Sequence, residues 1–168
     1  MKWIAISGGW RNNNRQTESD VRREVQEIIS RGDGIVSGGA LGVDYFATDE
    51  ALKRDASGKS IRIFLPATLE LYAEHYRKRA GEGVITQSQA ERLIAQLEKL
   101  KAINAESLQE NRGNSVIDKT AYWKRIEKIV EAADELVAFH INKSPGTQYT
   151  IDQANAKKIP VRIFEYIL

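Results

Sequence analysis

Three short segments concentrate the residue types that bind anions: Ser7-Gly8-Gly9-Trp10-Arg11, Ser37-Gly38-Gly39-Ala40-Leu41-Gly42-Val43-Asp44 and Asn142-Lys143-Ser144-Pro145-Gly146-Thr147. Each follows an apolar run and opens a helical pattern, the place where a chain leaves a buried strand. Glycine lets a ligand approach the backbone closely, and the free amides and positive end of the next helix face it. Phosphate is the anion this chemistry expects. Arg11 can add a planar bidentate grip, and Ser7, Ser37, Ser144, Thr147 and Thr150 can add hydroxyl hydrogen bonds. Asp44 has two readings, an acceptor for a sugar hydroxyl and weak catalytic candidate, or a carboxylate that complements its helix dipole. Trp10 also has two, a platform for a base or packing under the loop.

The elements that must position these turns alternate strand and helix. Trp3–Ser7 reads as the first strand, Gly34–Ser37 as the second, Ile61–Leu65 as the third, Glu135–His140 as the fourth and Val161–Tyr166 as the fifth. Thr17 can cap a helix carrying Val21, Val25, Ile28 and Ile29. Val43–Arg54 and Thr147–Lys158 read as two more helices, and Tyr122, Ile126, Ile129, Val130 and Ala133 mark another. This alternation predicts an α/β fold, a three-layer doubly wound Rossmann-like parallel sheet of five strands in the order 3-2-1-4-5. In that order ligands bind beyond the carboxyl ends of the strands where the winding reverses, so the three turns are expected at one rim. Residues 1–168 read as a single domain with a helical insertion at about 67–119. In it a Ser88-x-x-Glu91 capping box precedes Ala90, Leu93, Ile94, Leu97 and Leu100, and Asn111–Ser115 reads as a mobile loop.

Composition narrows the classes. The chain has 25 Lys plus Arg against 23 Asp plus Glu, so any basic footprint must be local. It has no cysteine, which removes thiolate chemistry and disulfides, and its two histidines, His75 and His140, lie far apart with no carboxylate at ligand spacing. No metal and no required cofactor are expected. His75 reads as a surface residue and His140 as a strand-end residue. Arg77-Lys78-Arg79, Lys124, Arg125 and Lys128 read as solvated helix surface, and Trp3, Phe64 and Phe139 as core. The first apolar run reaches glycine too soon for a signal peptide or membrane span, so the expectation is a soluble, cytoplasmic protein with no membrane partner.

Gly34-Ile35-Val36-Ser37-Gly38-Gly39-Ala40-Leu41-Gly42-Val43-Asp44, with Ala47 and Ala51-Leu52 after it, resembles the strand-turn-helix signature of the DNA-processing protein DprA (Smf). Ser7-Gly8-Gly9-Trp10-Arg11 is similar to that family's first Gly-x-Arg turn. Gly146-Thr147, Thr150-Ile151, Ala154 and Ile159-Pro160-Val161 are similar to its last helix and strand. The likeness covers most of the sheet but not Ala67–Lys119. It places the chain in the wider SLOG superfamily, which also holds the LOG phosphoribohydrolases and nucleotide-sensing domains. Two departures stand out. LOG enzymes carry Pro-Gly-Gly-x-Gly-Thr-x-x-Glu with a catalytic Glu, whereas Thr150 stands here. DprA-like proteins commonly carry a basic residue before the last glycine of the second motif, where it helps hold single-stranded DNA, and here that residue is Leu41.

Together these readings predict a domain that binds a phosphate-bearing nucleotide or nucleotide-derived ligand and is more a binder than an enzyme. The alternative is single-stranded DNA binding in DNA processing or recombination. A third reading, a nucleoside monophosphate phosphoribohydrolase, is disfavoured by Thr150. The resemblance also implies a homodimer.

Overall fold

The computed structural model describes Met1–Leu168 and contains β1 (Trp3–Gly8), α1 (Arg15–Ser30), β2 (Gly34–Ser37), α2 (Val43–Arg54), β3 (Ile61–Phe64), α3 (Leu69–Gly81), α4 (Gln87–Ile103), β4 (Leu108–Gln109), α5 (Lys119–Glu131), β5 (Glu135–Ile141), α6 (Pro145–Lys157) and β6 (Val161–Tyr166). All six strands are parallel in one sheet of order β4-β3-β2-β1-β5-β6. The expected five strands are there in the expected order. The sixth, β4, is a two-residue strand on the outer edge of β3. Two residues are too few to show a period, so this strand has no signature in sequence.

The core is two apolar layers, one on each face of the sheet. Ile4, Ile6, Ile35, Ile63, Val137 and Phe139 point to one face and meet α1, α2 and α4 through Val21, Val25, Ile28, Ala47, Leu93 and Leu97. Ala5, Val36, Leu136 and Ala138 point to the other and meet Ile129, Val130, Ile151 and Ala154 of α5 and α6. Strands buried on both faces read as nearly continuous apolar runs, which is how β1 and β5 appear in the sequence. Phe139 is fully buried, and Trp3 and Phe64 are packed at the edge of the second layer.

Three local details differ from the sequence expectation. Asn14, not Thr17, caps α1, because its side-chain oxygen accepts from the Thr17 amide at 2.9 Å. The capping box of α4 is Thr86 with Gln89, not Ser88 with Glu91, since the reciprocal bonds form two residues earlier, at 3.0 and 2.8 Å. Helix α3 carries no strong apolar stripe. It forms because Thr68 caps it and Tyr72, Ala73 and Tyr76 pack inward. The 111–115 segment is tied to the chain after β3: the Asn111 amide donates to the Ala67 carbonyl at 3.2 Å, and Asn114 Nδ2 to the Pro66 carbonyl at 2.7 Å.

No helix is long and apolar enough to cross a membrane.

Candidate nucleic-acid interface at the carboxyl rim of the sheet

Parallel pairing of β1 with both β2 and β5 makes the segments after Gly8, Ser37 and Ile141 leave the sheet side by side. The first two turns are in direct backbone contact. The Val43 amide donates to the Gly9 carbonyl at 3.1 Å, and Asn13 Nδ2 donates to the same oxygen at 3.2 Å. This approach needs glycine: a Cβ on Gly42 would lie 2.3 Å from the Gly9 carbonyl oxygen and 2.9 Å from Trp10 Cα, and Gly42 has φ +72. A Cβ on Gly8 would lie 2.5 Å from Val43 Cγ2 and 2.9 Å from the Phe139 carbonyl oxygen.

The third turn is joined to the first through hydroxyls. Ser7 Oγ donates to Thr150 Oγ1 at 3.2 Å, and Thr150 Oγ1 donates to the Gly146 carbonyl at 2.9 Å. Ser144 Oγ donates to Thr147 Oγ1 at 3.0 Å. These protons are spent on neighbouring protein atoms, so the hydroxyls of Ser7, Thr150 and Ser144 hold the turns together instead of presenting donors outward. Thr150 fills the position at which a LOG enzyme has its glutamate, and what it supplies there is a tie between two turns.

The rim has an open part and a closed part. Trp10, Arg11, Pro145 and Gly146 are exposed, and Gly8, Gly9, Ala40, Gly42 and Ser144 are half-buried beside them. A Cβ on Gly146 would meet nothing within 4 Å, so no protein atom fills the space above that turn. The Arg11 guanidinium lies over the Trp10 ring at 4.9 Å, which pairs the cation and the aromatic at the edge of the first turn. Ser37, Gly38, Gly39 and Asp44 are buried, and Ser37 Oγ has no hydrogen-bond partner.

Asp44 does not face the rim as a sugar acceptor would. Its Oδ2 accepts from the Ala40 amide of its own turn at 3.1 Å. Burial pushes its carboxyl up to about 6, opposed by the charge of Arg125 and by the Ala40 and Gly38 amides.

Arg125 is the residue that composition and clustering misplace. It is not solvated helix surface: Nη1 donates to the Gly38 carbonyl at 2.9 Å and to Tyr72 Oη at 3.3 Å, while the guanidinium lies over the Tyr122 ring at 4.9 Å. Its Nε is inaccessible and has no partner. Gly38 makes room for it, since a Cβ there would lie 2.9 Å from Arg125 Cζ. Tyr72 Oη donates to the Gly39 carbonyl at 3.0 Å, so α3 and α5 both grip the second turn. The signal lay in the helical spacing, because Arg125 falls four residues after Ala121 and four before Ile129, within the buried stripe of α5.

The two histidines have partners as well. His75 is half-buried with Nε2 3.1 Å from Tyr122 Oη, and His140 is buried with Nε2 3.2 Å from the Ser144 carbonyl oxygen. No group of three or more His, Cys, Asp or Glu side chains is placed to hold a metal ion.

A family model described as DNA recombination-mediator protein A matches residues 2–165. The chain belongs to that family. Among solved structures, it is similar to the DNA processing protein A of Helicobacter pylori, described for its single-stranded DNA binding mode, with 18% identity and a TM-score of 0.71 over 96% of this chain. It is also similar to DprA from Streptococcus pneumoniae, at 16% identity and a TM-score of 0.65 over 96% of this chain. The molybdenum cofactor carrier protein of Chlamydomonas reinhardtii has 16% identity and a TM-score of 0.58, over 96% of this chain and 75% of its own. This DprA-family chain spans 64% of the Helicobacter protein and 50% of the Streptococcus protein. No curated protein sequence matches it.

Proposed function

We propose that this DprA-family chain binds single-stranded DNA across the carboxyl rim of its sheet. A backbone phosphate sits over the open Gly146 turn at the start of α6, Arg11 takes a neighbouring phosphate, and Trp10 stacks on a base. The observation that carries the reading is the open rim itself: an exposed aromatic and cation beside glycine turns with free space above Gly146, in a chain of the recombination-mediator family. A strand lying on a surface needs reachable amides and cations more than an enclosed pocket.

The test is fluorescence anisotropy of an oligo(dT) at two or more salt concentrations. Binding is expected to weaken steeply with salt, with a slope of about 0.7 per phosphate neutralised. Arg11→Ala is expected to cost about tenfold and to lower the slope by about one phosphate's share. Gly146→Val puts a side chain into the open space at the start of α6, so it is expected to abolish most binding while leaving the free energy of unfolding in urea within about 0.5 kcal/mol of the parent. Binding that ignores salt, or that survives both substitutions, would overturn the reading.

A second reading is a small phosphate-bearing nucleotide as the ligand. Leu41 favours it: the residue that stands where DNA-binding relatives carry a cation is 7% exposed and packed into the core. Under this reading a nucleoside monophosphate saturates the protein and displaces oligo(dT), and affinity does not grow with oligonucleotide length.

A further inference from the structure

We infer that Trp123 and Tyr149, side by side on the face made by α5 and α6, form a second base-stacking site, and that a single strand seated at the Gly146 turn leaves the rim along this face. The inference rests on the proposed single-strand reading. It adds the direction the strand takes and the residues that hold its next nucleotides.

Helix α6 begins where β5 ends and α5 ends where β5 begins, so both helices run from the rim toward the other end of the sheet. Tyr149 lies three residues after Gly146, one turn further along the same side of α6. Its ring meets Trp123 of α5 edge-to-face, with centroids 4.3 Å apart and 62° between the planes. Neither ring is buried, so indole and phenol surface meets solvent one helical turn from the open Gly146 position. Lys119 Nζ stands 5.6 Å from the centre of the Trp123 ring. A flexible lysine over an aromatic face can give way to a base and move to the adjoining phosphate. Tyr149 Oη donates to Glu127 Oε1 at 2.7 Å, which fixes the ring and engages an acid of this face.

The distribution of charge decides which way the strand turns. On the α1–α2 side, Arg22 is paired with Glu18 and Asp49, Arg23 with Asp20, Lys53 with Asp49 and Arg54 with Glu50. Those cations are already answered by carboxylates. On the α5–α6 side, Lys119, Lys124, Lys128 and Lys143 are exposed and none of them forms an ion pair. Phosphates gain more on this second side, where free cations stand among aromatic rings. The strand then passes from Trp10 at the first turn over Gly146 to Tyr149 and Trp123.

The experiment follows tryptophan emission and fluorescence anisotropy while oligo(dT) is added to the protein. Trp3 opens β1 at the opposite end of the sheet, so only Trp10 and Trp123 can respond to a strand at the rim. Trp10→Phe is expected to keep part of the quenching, and Trp10→Phe combined with Trp123→Phe to show none. Trp123→Leu keeps apolar contact with Tyr149 but offers no ring. It is expected to weaken binding of long oligo(dT) by about 5- to 50-fold while leaving the shortest oligomers nearly unchanged. Lys119→Gln is expected to lower the salt slope by one phosphate's share, about 0.7. Tyr149→Phe, which loses the bond to Glu127 and keeps the ring, is expected to bind as the parent does. The inference fails if Trp123 emission is unmoved in the Trp10→Phe protein, if Trp123→Leu binds long oligomers like the parent, or if Tyr149→Phe loses binding. It also fails if light scattering shows Trp123→Leu turning a dimer into a monomer, since the face would then belong to a second copy of the chain. Quenching of Trp10 alone, in a protein whose binding is lost in Arg11→Ala, removes this inference and leaves the rim reading. Absence of binding at every length removes both.

Discussion

Gly42→Ala is expected to destabilise the fold by about 3–5 kcal/mol. Two costs combine. An L residue held at φ +72 is strained. The new Cβ also lies 2.3 Å from the Gly9 carbonyl oxygen and 2.9 Å from Trp10 Cα, and both are backbone atoms that cannot rotate away. Relief requires the first and second turns to separate, which breaks the bond from the Val43 amide to Gly9. Urea unfolding followed by circular dichroism measures the loss directly, and the same variant is expected to lose oligo(dT) binding because the rim comes apart. Gly146→Ala is the matched control, since its Cβ meets nothing within 4 Å and it sits in the first turn of α6. It is expected to unfold within about 1 kcal/mol of the parent. A Gly42→Ala protein as stable as Gly146→Ala would show that contact between the two turns does not hold the rim together.

Asp44→Asn is expected to raise stability at pH 7.5 by up to about 3 kcal/mol and to leave it nearly unchanged at pH 4. The sign follows from burial. Asp44 is 8% exposed, and its carboxyl is raised to about 6 in the folded protein, above the ordinary value of 3.8. The folded state therefore holds the proton more tightly than the unfolded chain does. The stabilisation that goes with protonation is complete below the unfolded value, and it is lost as pH rises through about 6. Above that pH the parent carries a buried charge that asparagine does not. Asparagine still offers an oxygen to the Ala40 amide, so the turn keeps its internal bond. For a chain of this size the gain corresponds to several degrees in thermal midpoint at pH 7.5. Scans at the two pH values check it. A variant less stable than the parent at pH 7.5 would mean that attraction to Arg125 outweighs the cost of burying the carboxylate.

How much of this could be read from residue order depends on distance along the chain. The first, second and last strands and the helices beside them are visible because apolar runs ending in glycine, and stripes at helical spacing, are local patterns. The strand order followed as well, since parallel strands joined by right-handed crossovers leave few arrangements. With that order, the placing of the segments around Gly8, Gly39 and Gly146 at one rim follows. Helix α3 was not legible, because its inward face is four residues, two of them tyrosines with hydroxyls bonded in the interior. Nor was β4, whose two residues pair with β3 only because α4 returns the chain beside it.

Residue identity shows glycine turns of the kind that can bind anions, and the strand order puts them at one rim. Residue identity does not show which of their polar groups remain free, because freedom is settled by partners far away in sequence. Ser7 is committed to Thr150, 143 residues on, and Arg125 to Gly38, 87 residues back. Asp44 is the limiting case: its bond is only four residues long, yet its charge state is governed by how deeply α2, α3 and α5 bury it. Local pattern specifies backbone conformation through sterics and hydrogen bonding between near neighbours. Desolvation and long-range pairing, which decide what a side chain can do at a site, arise only when distant segments exclude water together.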